Sequence, residues 1–81
     1  MKLAKHVKFR EEKFGGVLFE TRSEKVFTLN PTATAVVREI QAGTHEGDIS
    51  RRLKERFSGD AIEREAVAFI AELRQKGLVE D

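Results

Sequence analysis

Apolar and polar residues alternate over the first thirty positions of the chain, and the spacing of the apolar residues changes at Asn30 and Pro31. A spacing of two is typical of strands that bury one face, and here it falls in short segments rich in β-branched and aromatic residues. The predicted strands are residues 7–10, 17–21 and 25–29. The Gly15–Gly16 pair is expected to form the first hairpin turn, and residues 22–24 the second. Because the connections are short, we expect an antiparallel meander.

A spacing of three to four follows Pro31 and predicts three amphipathic helices. Asn30 is a typical N-cap for the first helix, and Pro31 suits its first position because a proline there loses no hydrogen bond. The apolar stripe of this helix consists of Ala33, Val36, Val37 and Ile40. Gly43 stands where a left-handed residue would end the helix.

The second and third helices are predicted over residues 44–58 and 60–76. Thr44 is expected to cap the second helix. Asp60 and Glu63 have the spacing of a capping box and predict the start of the third helix. Gly77 is expected to end that helix, so that the following apolar residues fold back onto the core.

The order of these elements defines the fold class. A three-stranded antiparallel sheet followed by three helices predicts an α+β, winged helix-turn-helix-like domain. The chain has 81 residues, which is the size of one small domain, so residues 1–81 are expected to form a single domain with one core.

Composition narrows the class of protein. The chain has no cysteine, which excludes a disulfide-rich secreted scaffold, a thiolate metal site and a cysteine nucleophile. The N-terminus is charged and lacks the apolar segment of a signal peptide, so we expect a soluble, cytoplasmic protein without contact to a membrane. Lysine and arginine number 15 against 14 acidic residues, and a net charge of +1 does not favour non-specific binding of nucleic acid.

Residues suited to catalysis are few and scattered. His6 and His45 lie in different elements without a carboxylate at triad or ligand spacing, and the Glu11–Glu12 pair falls in a strand or turn where neighbouring side chains diverge. The Gly15–Gly16 pair lacks the spacing of a phosphate-binding loop. We therefore expect no enzyme, no catalytic residue, no cofactor and no metal ion.

The last strand and the third helix suggest a binding site for a peptide. The last strand, residues 25–29, would lie at the edge of the meander, where an extended peptide can add as a further strand. On the third helix, the apolar stripe expected to face the core consists of Ala66, Phe69, Ile70 and Leu73. Val67 and Ala71 widen this stripe to one side. The flank expected to form one wall of an apolar groove over that strand consists of Val67, Ile70, Ala71 and Arg74.

Two other functions remain open from the residues alone. A winged-helix DNA-binding protein would have the same kinds of element, although the polar residues of the third helix sum to zero charge and no hairpin follows Asp81 to act as a wing. A homodimer paired through the edge strand would also explain an open edge. Binding of duplex DNA would weaken steeply with salt, and a dimer would be seen in its mass in solution.

Four segments in this order resemble the PqqD-like recognition elements of ribosomally synthesised and post-translationally modified peptides (RiPPs). They are Lys25-Val26-Phe27-Thr28-Leu29-Asn30-Pro31-Thr32-Ala33, Val36-Val37-x-x-Ile40-x-x-Gly43, Ile49-x-x-x-Leu53 and Phe69-x-x-x-Leu73-x-x-x-Gly77-Leu78. Within that family, the chain is most similar to the small stand-alone leader-binding proteins of lasso-peptide biosynthesis. The chain departs from the family at His45-Glu46-Gly47, where relatives often have a threonine and an apolar residue.

The resemblance implies a function for the open edge. A protein of this kind binds the leader segment of a precursor peptide as an added strand, and delivers it to a separate leader peptidase and a macrolactam-forming cyclase. The implied peptide contacts are Lys25, Val26, Phe27, Thr28 and Leu29 on the strand, with Val67, Ile70, Ala71 and Arg74 on the helix. We expect Phe27 and Leu29 to point toward the helices, and Val26 and Thr28 away from them.

Overall fold

The computed structural model describes all residues from 1 to 81. In chain order, the strands and helices are β1 (Lys2–Leu3), β2 (Val7–Glu12), β3 (Gly15–Glu20), β4 (Lys25–Leu29), α1 (Pro31–Gln41), α2 (Glu46–Arg56), α3 (Ile62–Gln75) and β5 (Val79–Glu80). The three strands β2, β3 and β4 form an antiparallel sheet, and three helices follow it. The predicted α+β fold class is confirmed.

Strand β4 lies at one edge of this sheet, because the strand order is β2-β3-β4. Its register pairs Lys25 with Glu20 and Leu29 with Gly16. A second sheet of two short strands joins the chain ends, with Lys2 opposite Glu80. The sequence pattern does not predict this second sheet, since two residues are too few to produce a periodicity.

The glycine pair has a different role from the one expected. The turn between β2 and β3 lies at residues 13–14, and Gly15 and Gly16 are the first residues of β3. A Cβ atom on Gly15, whose φ is +148°, would lie 2.2 Å from the carbonyl oxygen of Leu29. A Cβ atom on Gly16 would lie 2.9 Å from the Phe9 ring and from the Thr34 hydroxyl. Both glycines are therefore needed for close packing of β3 against its neighbours.

The helix ends confirm some of the predicted caps and correct others. The Asn30 side chain accepts a hydrogen bond from the Ala33 amide (2.8 Å), as expected for an N-cap. The cap of α2 is His45, whose Nδ1 accepts from the Gly47 amide (3.2 Å); the prediction of Thr44 was wrong because its hydroxyl bonds elsewhere. The predicted Asp60 cap was also wrong, since α3 follows Ala61 without a side-chain cap.

One cluster of fifteen buried apolar residues joins the inner face of the sheet to all three helices. Leu18 provides the centre of the sheet side, and Leu73 and Leu78 close the carboxyl-terminal end, where Gly77 has the positive φ predicted for a helix-ending residue. No helix in the structure combines the length and the apolar character that crossing a membrane requires. The core thus fixes β4 and α3 on the same side of the molecule.

Candidate functional site

The outer edge of β4 presents unpaired backbone groups. The Thr21 amide donates to the His6 carbonyl (2.8 Å), so this pair is a hydrogen-bonded one in the β2–β3 ladder. Hydrogen-bonded pairs alternate along antiparallel strands. Because this alternation continues across β3, the backbone groups of Phe27 form hydrogen bonds with those of Leu18. The N–H and C=O groups of Val26 and Thr28 therefore point to the free edge. An extended peptide can therefore form hydrogen bonds with Val26 and Thr28 without displacing any bond of the sheet.

Side chains of β4 alternate between the two faces of the sheet, as predicted. Leu29 is 4% exposed and Phe27 packs against the core, whereas Val26 is 58% exposed. Thr28 is also exposed, on the same face as Val26. Val26 lies beside Phe19 of β3 on the outer face, so that face of the sheet carries exposed apolar surface.

A groove lies between the inner side of β4 and α3. Its cavity has a volume of about 290 Å³ and is lined mainly by apolar side chains. The lining residues are Leu18, Val26, Phe27, Thr28, Leu29, Phe69, Glu72, Leu73, Lys76 and Leu78. A cavity of this size beside an open strand edge can hold one or two apolar side chains of an added strand.

The helical wall of this groove is not the flank predicted from the sequence. Val67 and Ile70 line a different crevice, against the start of α2, and Val67 is 60% exposed there. Arg74 donates two hydrogen bonds to the carboxylate of Glu46, one of them 2.6 Å long, and Ala71 is exposed outside the groove. The structure therefore brings none of these four helix residues to β4.

The helix residues that line the groove are Phe69, Glu72, Leu73 and Lys76. Their positions i, i+3, i+4 and i+7 place them on one face of α3. From the sequence, Phe69 and Leu73 were expected to belong to the core alone, and the two charged residues were not singled out. The sequence signal that could have found this wall is Phe69, a large aromatic residue at the border of the core stripe. In the structure it is only partly buried.

Charged groups at the groove are arranged asymmetrically. The ammonium of Lys76 lies 5.6 Å from the centre of the Phe27 ring and 4.0 Å from a carboxylate oxygen of Glu72. A second crevice, of about 260 Å³, continues the groove past Asn30 and is lined by the carboxylates of Glu65 and Glu72. Phe69 lines both crevices. The surface beside β4 thus changes from basic to acidic along the strand.

A buried carboxylate holds α1 and α2 together behind the groove. Glu39 accepts hydrogen bonds from the Thr44 hydroxyl (2.5 Å) and the Arg52 guanidinium (2.8 Å), and its exposure is 5%. These bonds, together with the charge of Arg56, hold the pKa of the Glu39 carboxyl below its ordinary value. The hydrogen bond from Arg74 lowers the pKa of Glu46 in the same way, which ties α3 to the start of α2.

The two histidines also have structural partners. His45 caps α2, and Nε2 of His6 lies 3.7 Å from a carboxylate oxygen of Glu20. No group of three or more histidine and acidic side chains is arranged to hold a metal ion. The arrangement beside β4 is suited to binding an extended chain.

Solved structures of other proteins have a similar fold. TbiB1 in complex with the TbiA(β) leader peptide has a TM-score of 0.85 at 22% identity, covering 99% of this chain and 95% of TbiB1. A lasso peptide synthetase B1 complexed with a leader peptide has a TM-score of 0.82 at 23% identity, covering 99% and 96%. SuiB of Streptococcus suis matches 95% of this chain but 22% of its own length, at 20% identity and a TM-score of 0.52.

No curated protein sequence matches this chain. The sequence profile of one family does match, over residues 15–79, which include β3, β4, all three helices and the start of β5. That match confirms the resemblance stated from the sequence. The chain belongs to the family described as coenzyme PQQ synthesis protein D (PqqD).

Proposed function

We propose that this chain binds the leader segment of a ribosomally synthesised precursor peptide by strand addition along β4 and presents it to separate processing enzymes. The observation that carries the proposal is the open edge of β4, at Val26 and Thr28, beside an apolar cavity under α3. Two proteins of the same fold are described as complexes with leader peptides, which supports the proposal.

The proposed contacts follow from the geometry. Backbone groups of Val26 and Thr28 bond to the peptide, and the side chains of Phe27, Phe69 and Leu73 surround its inward-pointing residues. The proposed helix contacts therefore lie about half a turn around α3 from those expected from the sequence. In this proposal, the opposite flank of α3 serves to hold α2.

We propose further that the chain acts as a carrier without catalysis of its own, and that its partners are a leader peptidase and a cyclase. Both histidines and the buried carboxylate of Glu39 are engaged in structural contacts, which supports a carrier. A location in the cytoplasm, where ribosomes synthesise the precursor, belongs to the same proposal. We propose a monomer and not an edge-paired homodimer, because a second copy of the chain paired with β4 would occupy the edge to which the peptide binds.

The test begins with a search of the reading frames beside this gene for a short precursor peptide, whose leader segment is then synthesised with a fluorescein label. Fluorescence polarisation is measured as the full chain is titrated into the peptide, and into a labelled DNA duplex of the same concentration. We expect saturable binding of the peptide with weak dependence on salt, and no binding of the duplex at physiological salt. The same titration is followed by ¹H–¹⁵N NMR, which reports on each backbone amide.

The NMR result distinguishes strand addition from other modes of binding. The amides of Val26 and Thr28 should show the largest shifts and gain protection from hydrogen exchange, because they acquire a hydrogen-bond partner. Amides of β2, at the other edge of the sheet, serve as the internal control. Binding that shifts β2 or α2 and leaves both β4 amides unchanged would refute the proposed site.

A further inference from the structure

The groove beside β4 has a charge pattern that the proposed function does not explain by itself. Lys25 at the first position of β4 takes part in no ion pair, and Lys76 lies over the Phe27 ring on the opposite wall. At the other end of the strand, Glu65 lines the crevice beside Asn30 and also lacks an ion pair. Glu72 lies between the two ends, where it lines both crevices and is 4.0 Å from the Lys76 ammonium. Both ends therefore present charges that a bound peptide can neutralise.

The two charged ends are separated by the length of a short strand. Helix α3 runs opposite to β4, since Lys76 faces Phe27 whereas Glu65 lies in the crevice beside Asn30. Glu65 and Lys76 are eleven residues apart in the sequence, which corresponds to about 16 Å along a helix. Five residues of extended chain span about 13 Å between the first and the last Cα atom. One five-residue segment can thus reach both ends.

The register of β4 determines which peptide side chains face the charges. A peptide residue opposite Phe27 forms a pair without direct hydrogen bonds, and its side chain points to the same face as the Phe27 side chain, toward α3. The residues two positions away, opposite Lys25 and Leu29, point to that face too. Three alternate side chains of the segment therefore enter the groove, and the two between them point to the outer face.

We propose that the groove selects a segment whose three inward side chains are acidic, apolar and cationic, in the order in which they pass β4 from Lys25 to Leu29. The acidic side chain lies by Lys25 and Lys76, and the apolar one fills the cavity beside Phe27. The cationic one lies by Glu65, in the crevice that Glu72 also lines. This inference rests on the proposed function and names the class of peptide that the site recognises. The residues opposite Val26 and Thr28 contribute backbone bonds and are not selected by charge.

The test is display of random twelve-residue peptides on phage, selected against the immobilised full chain. Three variants are selected in parallel: Glu65→Lys, Glu72→Lys and, as a matched control, Glu55→Lys. Glu55 is exposed on α2, lines none of the crevices described and forms no ion pair, so its reversal changes the net charge equally but outside the groove. Far-ultraviolet circular dichroism confirms that each variant is folded before selection.

We expect peptides bound by the unmodified chain to carry an apolar residue with an acid two positions to one side and a lysine or arginine two positions to the other. Glu65→Lys or Glu72→Lys should remove the preference for the cation, and Glu55→Lys should retain it. For one selected peptide, exchange of its two charged residues should weaken binding about tenfold, since each exposed pair contributes up to about fivefold.

Three other outcomes would contradict this inference, and they separate its failure from failure of the proposed function. Selected peptides with alternate apolar residues and no charge preference, unchanged in the two groove variants, would overturn the inference and leave strand addition intact. Failure to enrich any peptide over an unrelated immobilised protein would overturn both. A charge preference that Glu55→Lys abolishes as well would assign the effect to net charge, which also contradicts the inference.

Discussion

Thr28→Pro is the substitution that most directly tests the open edge of β4. Proline lacks the backbone N–H group, and the Thr28 N–H is one of the two that point away from the sheet. The ladder between β3 and β4 keeps its bonds, because those involve Lys25, Phe27 and Leu29. Proline is tolerated in edge strands for this reason, and the residue before it prefers the extended conformation that Phe27 already has.

The expected loss of affinity follows from one missing hydrogen bond. A backbone hydrogen bond contributes about 1 kcal/mol net, and a peptide carbonyl left without a partner beside the apolar cavity adds about 0.5 to 1 kcal/mol more. The sum, about 1.5 to 2 kcal/mol, corresponds to a dissociation constant roughly ten- to thirtyfold higher. Thr28→Val is the matched control, because it changes the exposed side chain and keeps the N–H group; we expect it to bind within about twofold of the unmodified chain.

Fluorescence polarisation with the labelled leader peptide measures all three dissociation constants. Thermal denaturation, followed by circular dichroism, establishes that the proline variant remains folded with a melting temperature close to that of the unmodified chain. Equal affinity of Thr28→Pro and Thr28→Val would refute the reasoning, since strand addition along β4 cannot be indifferent to this N–H group. A large fall in melting temperature for Thr28→Pro would instead contradict the assigned direction of the Thr28 backbone groups.

Four further substitutions test separate parts of the structure. Glu39→Gln should lower the free energy of unfolding by about 2 kcal/mol at neutral pH, because hydrogen bonds to a buried carboxylate weaken. The pKa of Glu39 in the folded chain lies below its ordinary value of 4.5, so unfolding takes up a proton as the pH falls below that value. The contribution of the Glu39 carboxylate to stability is therefore complete above pH 4.5 and is lost at lower pH. Thermal melts of this variant and of the unmodified chain should converge in acid. Gly15→Ala should lower the melting temperature by roughly 5 to 15 °C, because its Cβ would meet the Leu29 carbonyl, and an unchanged melt would contradict this contact. Phe69→Ala should weaken leader binding about tenfold in a polarisation titration, as a groove wall is lost, whereas equal binding would exclude Phe69 from the site. Arg74→Glu should leave the dissociation constant of the leader peptide within about twofold, because the Arg74 guanidinium contacts Glu46 at the start of α2 and does not line the groove. A tenfold weaker affinity would instead support the peptide-binding flank expected from the sequence.

The sequence was sufficient for the elements whose ends carry local signals. Strand β4 was predicted with its observed bounds, since it lies between a polar turn and the Asn30–Pro31 start of α1. The glycine pair was misplaced because a Gly-Gly sequence is equally suited to a turn and to a close approach between strands. Only the Leu29 carbonyl, distant in the sequence, decides between the two. A pattern read along the chain cannot contain that contact.

The helical wall was missed for a similar reason. An apolar stripe that widens on a helix indicates an additional contact, yet Val67 and Ala71, which widen the stripe of α3, are both exposed. The side to which a helix turns its flank depends on its neighbours, and here the start of α2 lies on the Val67 side. Phe69 lies on the other border of the same stripe, where one large aromatic residue provides more surface than two small ones. Residue size was therefore a better guide to the groove than the width of the stripe.

The packing of β3 explains why β4 can serve as a template for a foreign strand. Gly15 lets β3 approach the point where β4 ends at Leu29, and Asn30 begins the cap of α1 at the next residue. The Leu29 end of β4 is thereby fixed to both the sheet and the first helix. The Lys25 end is fixed by backbone pairing with Glu20 of β3. A strand held at both ends has little conformational freedom left to lose when a peptide binds. The cost of ordering then falls on the peptide alone, so a short leader segment can bind with only the few contacts that the groove offers.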